Sequence, residues 1–196
     1  MNNKIRQTIE ILNRGGVVIF PTDTAYGIGC RIDDPKAVER LLTIKGRPKN
    51  KAMPILASDI TMVKQYVDIV DNNVKKLMDR YWPGGLTIVL PTYTGNIVPD
   101  IRGGGDTIGV RVPSHVVIRE VIRGLGVPIV GSSANPSGGK TPFHKSTLDP
   151  RIVKQVDMVL EGVCGGSLPS TVLDCTRRPW KILREGAVRL NLKEYA

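Results

Sequence analysis

Along the chain the apolar positions switch between a helical period and short unbroken runs. Ile5, Ile9 and Leu12 fall on one helical face, and Gly15 can end that helix. "VVIF" (17–20) is a short buried-strand pattern. A second helix is expected from Asp34, with Pro35 in its first turn and Val38, Leu41 and Leu42 as its apolar face; it ends near Lys45–Gly46. "MPILA" (53–57) reads as a strand, Asp71 as the start of a helix to about Tyr81, and "LTIVLP" (86–91) and "TIGVRVP" (107–113) as further strands. Ser114 opens another helix to about Arg123, and "VPIVGS" (127–132) reads as one buried strand. "DMVLEG" (157–162), "STVLDCT" (170–176) and "WKILREG" (180–186) are strands that follow. Helices and strands alternate first and strands dominate later. That order predicts an α/β fold over residues 1–196: one domain with a twisted, mixed parallel and antiparallel sheet flanked by helices. Strand order is not legible.

Composition narrows the class. With 41% hydrophobic and 23% charged residues, the 196-residue chain has the make-up of an ordinary soluble globular protein. No apolar run approaches the roughly 18 residues needed to span a bilayer. The N-terminus lacks the apolar core of a signal peptide, so cytoplasm is the expected location. Cys30, Cys164 and Cys175 form no CxxC pair and are expected to be buried, reduced thiols. No metal-ligand constellation is visible. The excess of 28 Lys+Arg over 18 Asp+Glu, a formal charge of +10, predicts affinity for polyanions or phosphorylated small molecules. Aromatic residues at 5% are too few for a base-stacking platform.

Charge is most concentrated in "TIKGRPKNKA" (43–52), where Lys45, Arg47, Lys49 and Lys51 occupy alternate positions. Residues two apart share a direction in an extended chain but not in a helix, and Pro48 disfavours helix at Arg47. The expectation is an extended basic comb, serving as a phosphate site, an RNA-binding surface or a solvated loop. "VGSSANPSGGKTP" (130–142) runs from an apolar strand into hydroxyls and glycines that can approach phosphate oxygens. It is not a nucleophile elbow, because Asn135 stands where glycine is needed. It is not a P-loop either: Ala134 replaces the first glycine and Pro136 removes a donor. In "FPTDTAYGIGC" (20–30), Asp23 could serve as a catalytic carboxylate, but no partner is visible nearby and an Asx-turn role is expected, while Thr24 can contact a ligand or close that turn. Arg111, alternating with Val110 and Val112, needs either an internal carboxylate or an anionic ligand. Arg184 follows an apolar strand in the same manner, Ser170 stands at a strand start, and His115 and His144 have no triad-like context.

Taken together, "GGVVIFPTDTAYGIGC", "KGRP", "RYWPGGLTIVL", "TIGVRVPSH", "SSANPSGG", "STVLD" and "ILREG" resemble the YrdC-like threonylcarbamoyl-adenylate synthase family, in that family's order and over nearly the whole chain. The resemblance implies a YrdC-like fold with a concave basic cleft. It also implies formation of threonylcarbamoyl-adenylate and pyrophosphate from L-threonine, bicarbonate and ATP, for proteins that transfer the threonylcarbamoyl group to tRNA. A K-x-R and S-x-N set, here Lys45, Arg47, Ser133 and Asn135, would carry catalysis. Arg47, Lys51, Thr107, Ser133, Thr141 and Arg184 would contact ATP; Thr24, Arg111, Gly131 and Ser170 would surround threonine. No protein-bound metal is implied, Mg²⁺ arriving with ATP. Leu56 departs from relatives that carry histidine near the bound threonine, and its effect on amino-acid preference is open, as are oligomeric state and direct tRNA contact. The rival class is a structured-RNA (tRNA or double-stranded RNA) binding protein of the same fold; carbamoyl transfer from carbamoyl phosphate is a third reading.

Overall fold

Three of the longer helices begin where a side chain can satisfy their free N–H groups. Asn2 accepts from Lys4 N at the start of α1 (Asn3–Asn13), whose buried face is Ile5, Thr8, Ile9 and Leu12. Asp34 accepts from Lys36 N and Ala37 N before α2 (Pro35–Lys45), and Gly46, at φ 56°, closes it in the left-handed region. Asp71 caps α4 (Asn72–Tyr81). The short α3 (Ile60–Val63) and α6 (Pro150–Val153) have no counterpart in the apolar pattern. At α5 (Val116–Leu125) the residue before the first turn is His115, not Ser114, and its side chain makes no capping bond. These features come from a computed structural model that describes residues 2–69, 71–93, 95 and 97–195.

The expected α/β class with mixed strands holds, but the strands divide into two sheets. The four-stranded sheet has the order β7–β2–β1–β8, from β1 (Val18–Phe20), β2 (Gly27–Gly29), β7 (Ser132–Ser133) and β8 (Met158–Val159). The six-stranded sheet has the order β10–β9–β4–β5–β3–β6. It uses β3 (Ile55–Leu56), β4 (Leu86–Pro91), β5 (Thr107–Arg111), β6 (Ile129–Val130), β9 (Thr171–Asp174) and β10 (Lys181–Arg184). In the first sheet β1 pairs antiparallel with β2 and parallel with β8. In the second, β4 pairs antiparallel with β5 and parallel with β9. Apolar side chains from both sheets and the helices, such as Phe20, Ile28, Leu41, Ile55, Leu77, Leu86 and Val121, form one continuous core.

The run 127–132, expected as one strand, breaks at Gly131, and its halves belong to different sheets. Gly131 donates its N–H to Pro54 O at 2.9 Å, and a Cβ at this position would collide with the Leu56 side chain. Glycine is therefore the residue that lets the chain cross between sheets against β3. β2 was equally hidden, inside a segment that reads as a turn: Gly29 packs against Val130 O so closely that no side chain fits. The seam between the two sheets is where the sequence is richest in glycine, hydroxyls and arginine.

Candidate functional site

At that seam lies a cavity enclosing about 140 Å³. Its walls come from the β1–β2 turn (Thr22, Thr24, Tyr26), Arg47, Leu56, Thr87, Arg111, the 131–133 crossing, Thr141, Ser170 and Arg184. Such a volume is below the roughly 300–1,000 Å³ of clefts that bury a drug-sized ligand, so a nucleotide would extend through the mouth. Among the described residues, three arginines and no carboxylate line the cavity.

Arg111, at the end of β5, is only 5% exposed and is held in three directions. Nε donates to Gly84 O at 2.9 Å, Nη1 to Thr24 Oγ1 at 2.9 Å, and Nη2 to Asp23 Oδ1 at 2.7 Å. The two readings of Arg111, internal ion pair or ligand fork, are thus compatible: it has a carboxylate partner and still faces the cavity. Asp23 is corrected accordingly. It pairs with Arg111, and the turn is shaped instead by Thr22, whose Oγ1 accepts from Thr24 N and Ala25 N. Asp23 is a functional-site residue for which sequence offered no partner, because Arg111 is 88 positions away.

Across the cavity Arg184 donates from Nε to Ser170 O and from Nη2 to Ser170 Oγ, each at 2.9 Å. Ser170 Oγ also lies 2.9 Å from Thr87 Oγ1. Thr87 was not anticipated; the one available signal was a hydroxyl amid the apolar "LTIVLP". Burial draws Arg184 below its ordinary pKa, and the Arg111 charge adds to this. Burial likewise lowers Arg111, opposed by Asp23, and lowers Arg47. Guanidinium groups stay charged through such shifts, so the cavity keeps a surplus of positive charge for an anion.

The basic comb is corrected most. It is not extended: Gly46 turns left-handed and Lys51 N bonds back to Pro48 O. Its side chains diverge. Lys45 is 2% exposed and donates to Ser133 O at 2.5 Å and Asn135 O at 2.7 Å. Arg47 lines the cavity, steadied by bonds to Lys51 O and Ala52 O. Lys49 is exposed and pairs with Asp100. Lys51 is exposed and outside the cavity lining.

Among the other expected contacts, Thr24, Gly131, Ser133, Thr141 and Ser170 line the cavity. Thr107 does not; it begins β5, four residues and about 13 Å of strand from Arg111. Asn135 does not either: its Nδ2 is engaged by Pro136 O and Gly139 O. Among the described residues no group of three metal-ligating side chains forms. Nor, among them, is any helix long and apolar enough to cross a membrane. Cys30 is buried, but Cys164 and Cys175 are only half-buried. His115 is half-buried with an unpartnered Nδ1, and His144 is exposed.

The comparisons with known proteins bear on the same chain region. The family model Sua5_yciO_yrdC, described as telomere recombination, matches residues 10–186. A threonylcarbamoyl-AMP synthase of Bacillus subtilis is 34% identical over 189 residues, covering 94% of this chain and 54% of the relative. The solved structure of P. abyssi Sua5 complexed with L-threonine superposes with a TM-score of 0.85 at 31% identity, covering 93% of this chain and 54% of that one. E. coli YciO superposes at 0.86 with 32% identity, covering 96% and 91%. The chain thus spans about half the length of the first two and nearly all of the third. By sequence and by fold, the chain belongs to the Sua5/YciO/YrdC family.

Proposed function

We propose that this chain is a threonylcarbamoyl-AMP synthase, joining L-threonine, bicarbonate and ATP. The observation that carries the reading is the cavity itself: Arg47, Arg111 and Arg184 converge on a space ringed by hydroxyls and free of carboxylates. Likeness alone does not choose the activity, since YciO is as similar as the synthase.

The reaction suits such a site. Threonine's amine and bicarbonate give a carbamate with loss of water; a carbamate oxygen attacks the α-phosphorus of ATP, and the α–β bridging oxygen leaves with pyrophosphate. No protein nucleophile is needed, only positioning and charge neutralisation. Arg111, with Thr24, Ser170 and the Gly131 backbone, would receive threonine and its carboxylate. Arg47, Ser133, Thr141 and Arg184 would bear on the phosphates. Each charge-assisted hydrogen bond is worth about 1.5–3 kcal/mol. Lys51 and Thr107 lie outside the cavity and are reachable only by a ligand extending through its mouth. Mg²⁺ comes with ATP as substrate. Leu56 contributes an apolar side chain to the cavity lining, where it would act on amino-acid preference through shape. The product would pass in the cytoplasm to proteins that modify tRNA.

Pyrophosphate release is the direct test, with threonine and bicarbonate omitted one at a time. Release that needs both is expected. Release indifferent to threonine overturns the reading. Arg47→Ala should cut turnover more than a hundredfold in a folded protein.

A further inference from the structure

Of the K-x-R and S-x-N residues, only Arg47 and Ser133 line the cavity. Lys45 and Asn135 are 2% and 8% exposed, and both make their bonds to backbone carbonyls of the 133–139 loop. The contacts at Lys45 are reciprocal. Its Nζ reaches Ser133 O and Asn135 O, while its own carbonyl accepts Ser137 N at 2.8 Å. Ser133 O accepts Asn135 N as well, at 2.9 Å. On its other side Ser133 is in register with Gly27 of β2. The backbone of Ser133, a residue of the cavity lining, is thus fixed between a strand and an ammonium group.

We propose that Lys45 is a positioning residue, tying the 133–137 loop to the end of α2 so that Ser133 faces the reactants, and makes no contact with substrate itself. The two carbonyls converge on Nζ, so a side chain without an N–H donor would leave Asn135 O buried and unpaired and Ser133 O with the Asn135 N–H alone. Such groups are poorly tolerated, and the loop would turn to solvate them. The proposal rests on the synthase reading only for its kinetic consequence.

Two measurements on the full chain test it. In the ligand-free Lys45→Ala protein, amide hydrogen exchange at Asn135, Ser137 and Gly139 should quicken at least tenfold, with β4 amides within twofold of the parent. Propylammonium, which replaces the missing chain and its donors, should restore slow exchange; tetramethylammonium, charged but without N–H, should not. Unchanged loop exchange overturns the proposal whatever the substrates are.

The second is a double-mutant cycle on pyrophosphate release. Lys45→Ala alone should lower kcat/KM about a hundredfold, yet cost less than about threefold further in a Ser133→Ala background, because the two act as a unit. Costs that multiply would mean that Lys45 acts by its own contact or by general damage, and would overturn the proposal. If the parent protein releases no pyrophosphate, the synthase reading fails and the exchange experiment alone decides the role of Lys45.

Discussion

At the scale of single residues, two buried cations behave differently because their partners differ. Arg111 faces a carboxylate, and removing it strands Asp23 in a pocket where its side chain is 14% exposed. Arg111→Ala should therefore lower stability by about 3–5 kcal/mol in urea denaturation, whereas Arg111→Met with Asp23→Leu should recover much of that loss. Both should be inactive if the guanidinium holds a substrate carboxylate. Lys45 faces carbonyls. Burial, then the charge of Arg47, brings its pKa down to about 7 from an ordinary 10.5, while the two carbonyl acceptors favour the ammonium. A base whose pKa falls on folding binds more protons unfolded, so it lowers stability at acidic pH and that penalty fades as pH rises from 7 towards 10.5. The measurable consequence is a flatter stability–pH curve between pH 7 and 9 for Lys45→Met than for the parent.

Among elements, the decisive event is the break of the 127–132 strand at Gly131. The apolar pattern there is continuous, so nothing local distinguishes one strand from two. The distinction comes from β3, whose Leu56 fills the space a side chain at 131 would need. Gly131→Ala should cost about 1–3 kcal/mol by overpacking, read as a lower urea midpoint. Leu56→Ala in the same chain should return part of it, since the colliding atoms are then gone. The comb shows the converse limit. Its alternation was legible, but alternate side chains share a direction only if the backbone is extended. The left-handed Gly46 and the Pro48–Lys51 turn send Lys45, Arg47 and Lys49 to a loop, a cavity and an ion pair.

For the whole molecule, the net charge of +10 coexists with local ion pairs on the surface. Some of the surface charge is locally matched, as in Arg40–Asp157, Arg80–Glu194, Arg178–Asp71 and the Lys4–Glu161–Lys145 link. In the cavity the positive charge comes from Arg47, Arg111 and Arg184. RNA-duplex binding should accordingly show a log–log salt slope no steeper than about −2, equivalent to about two phosphate contacts. A slope of −5 or more would put the RNA-binding class ahead of the synthase.

The sequence by itself determined the elements whose causes are local. α1, α2 and α4 follow from an apolar period plus Asn or Asp caps, and β4 and β5 from short runs rich in Ile, Val and Leu. It also marked the seam, since glycines and hydroxyls at strand ends announce a close approach or a ligand. Tertiary structure alone decided which of these chemical groups meet. Arg111 finds Asp23 only after β5 is brought beside the β1–β2 turn, and Arg184 finds Ser170 only after β10 pairs with β9. Those partners lie on separate elements, and local spacing carries no information about which strand lies beside which. Lys45 turned from an apparent phosphate tooth into a loop tie for the same reason: its acceptors are carbonyls 88 and 90 residues away, which have no signature in the sequence.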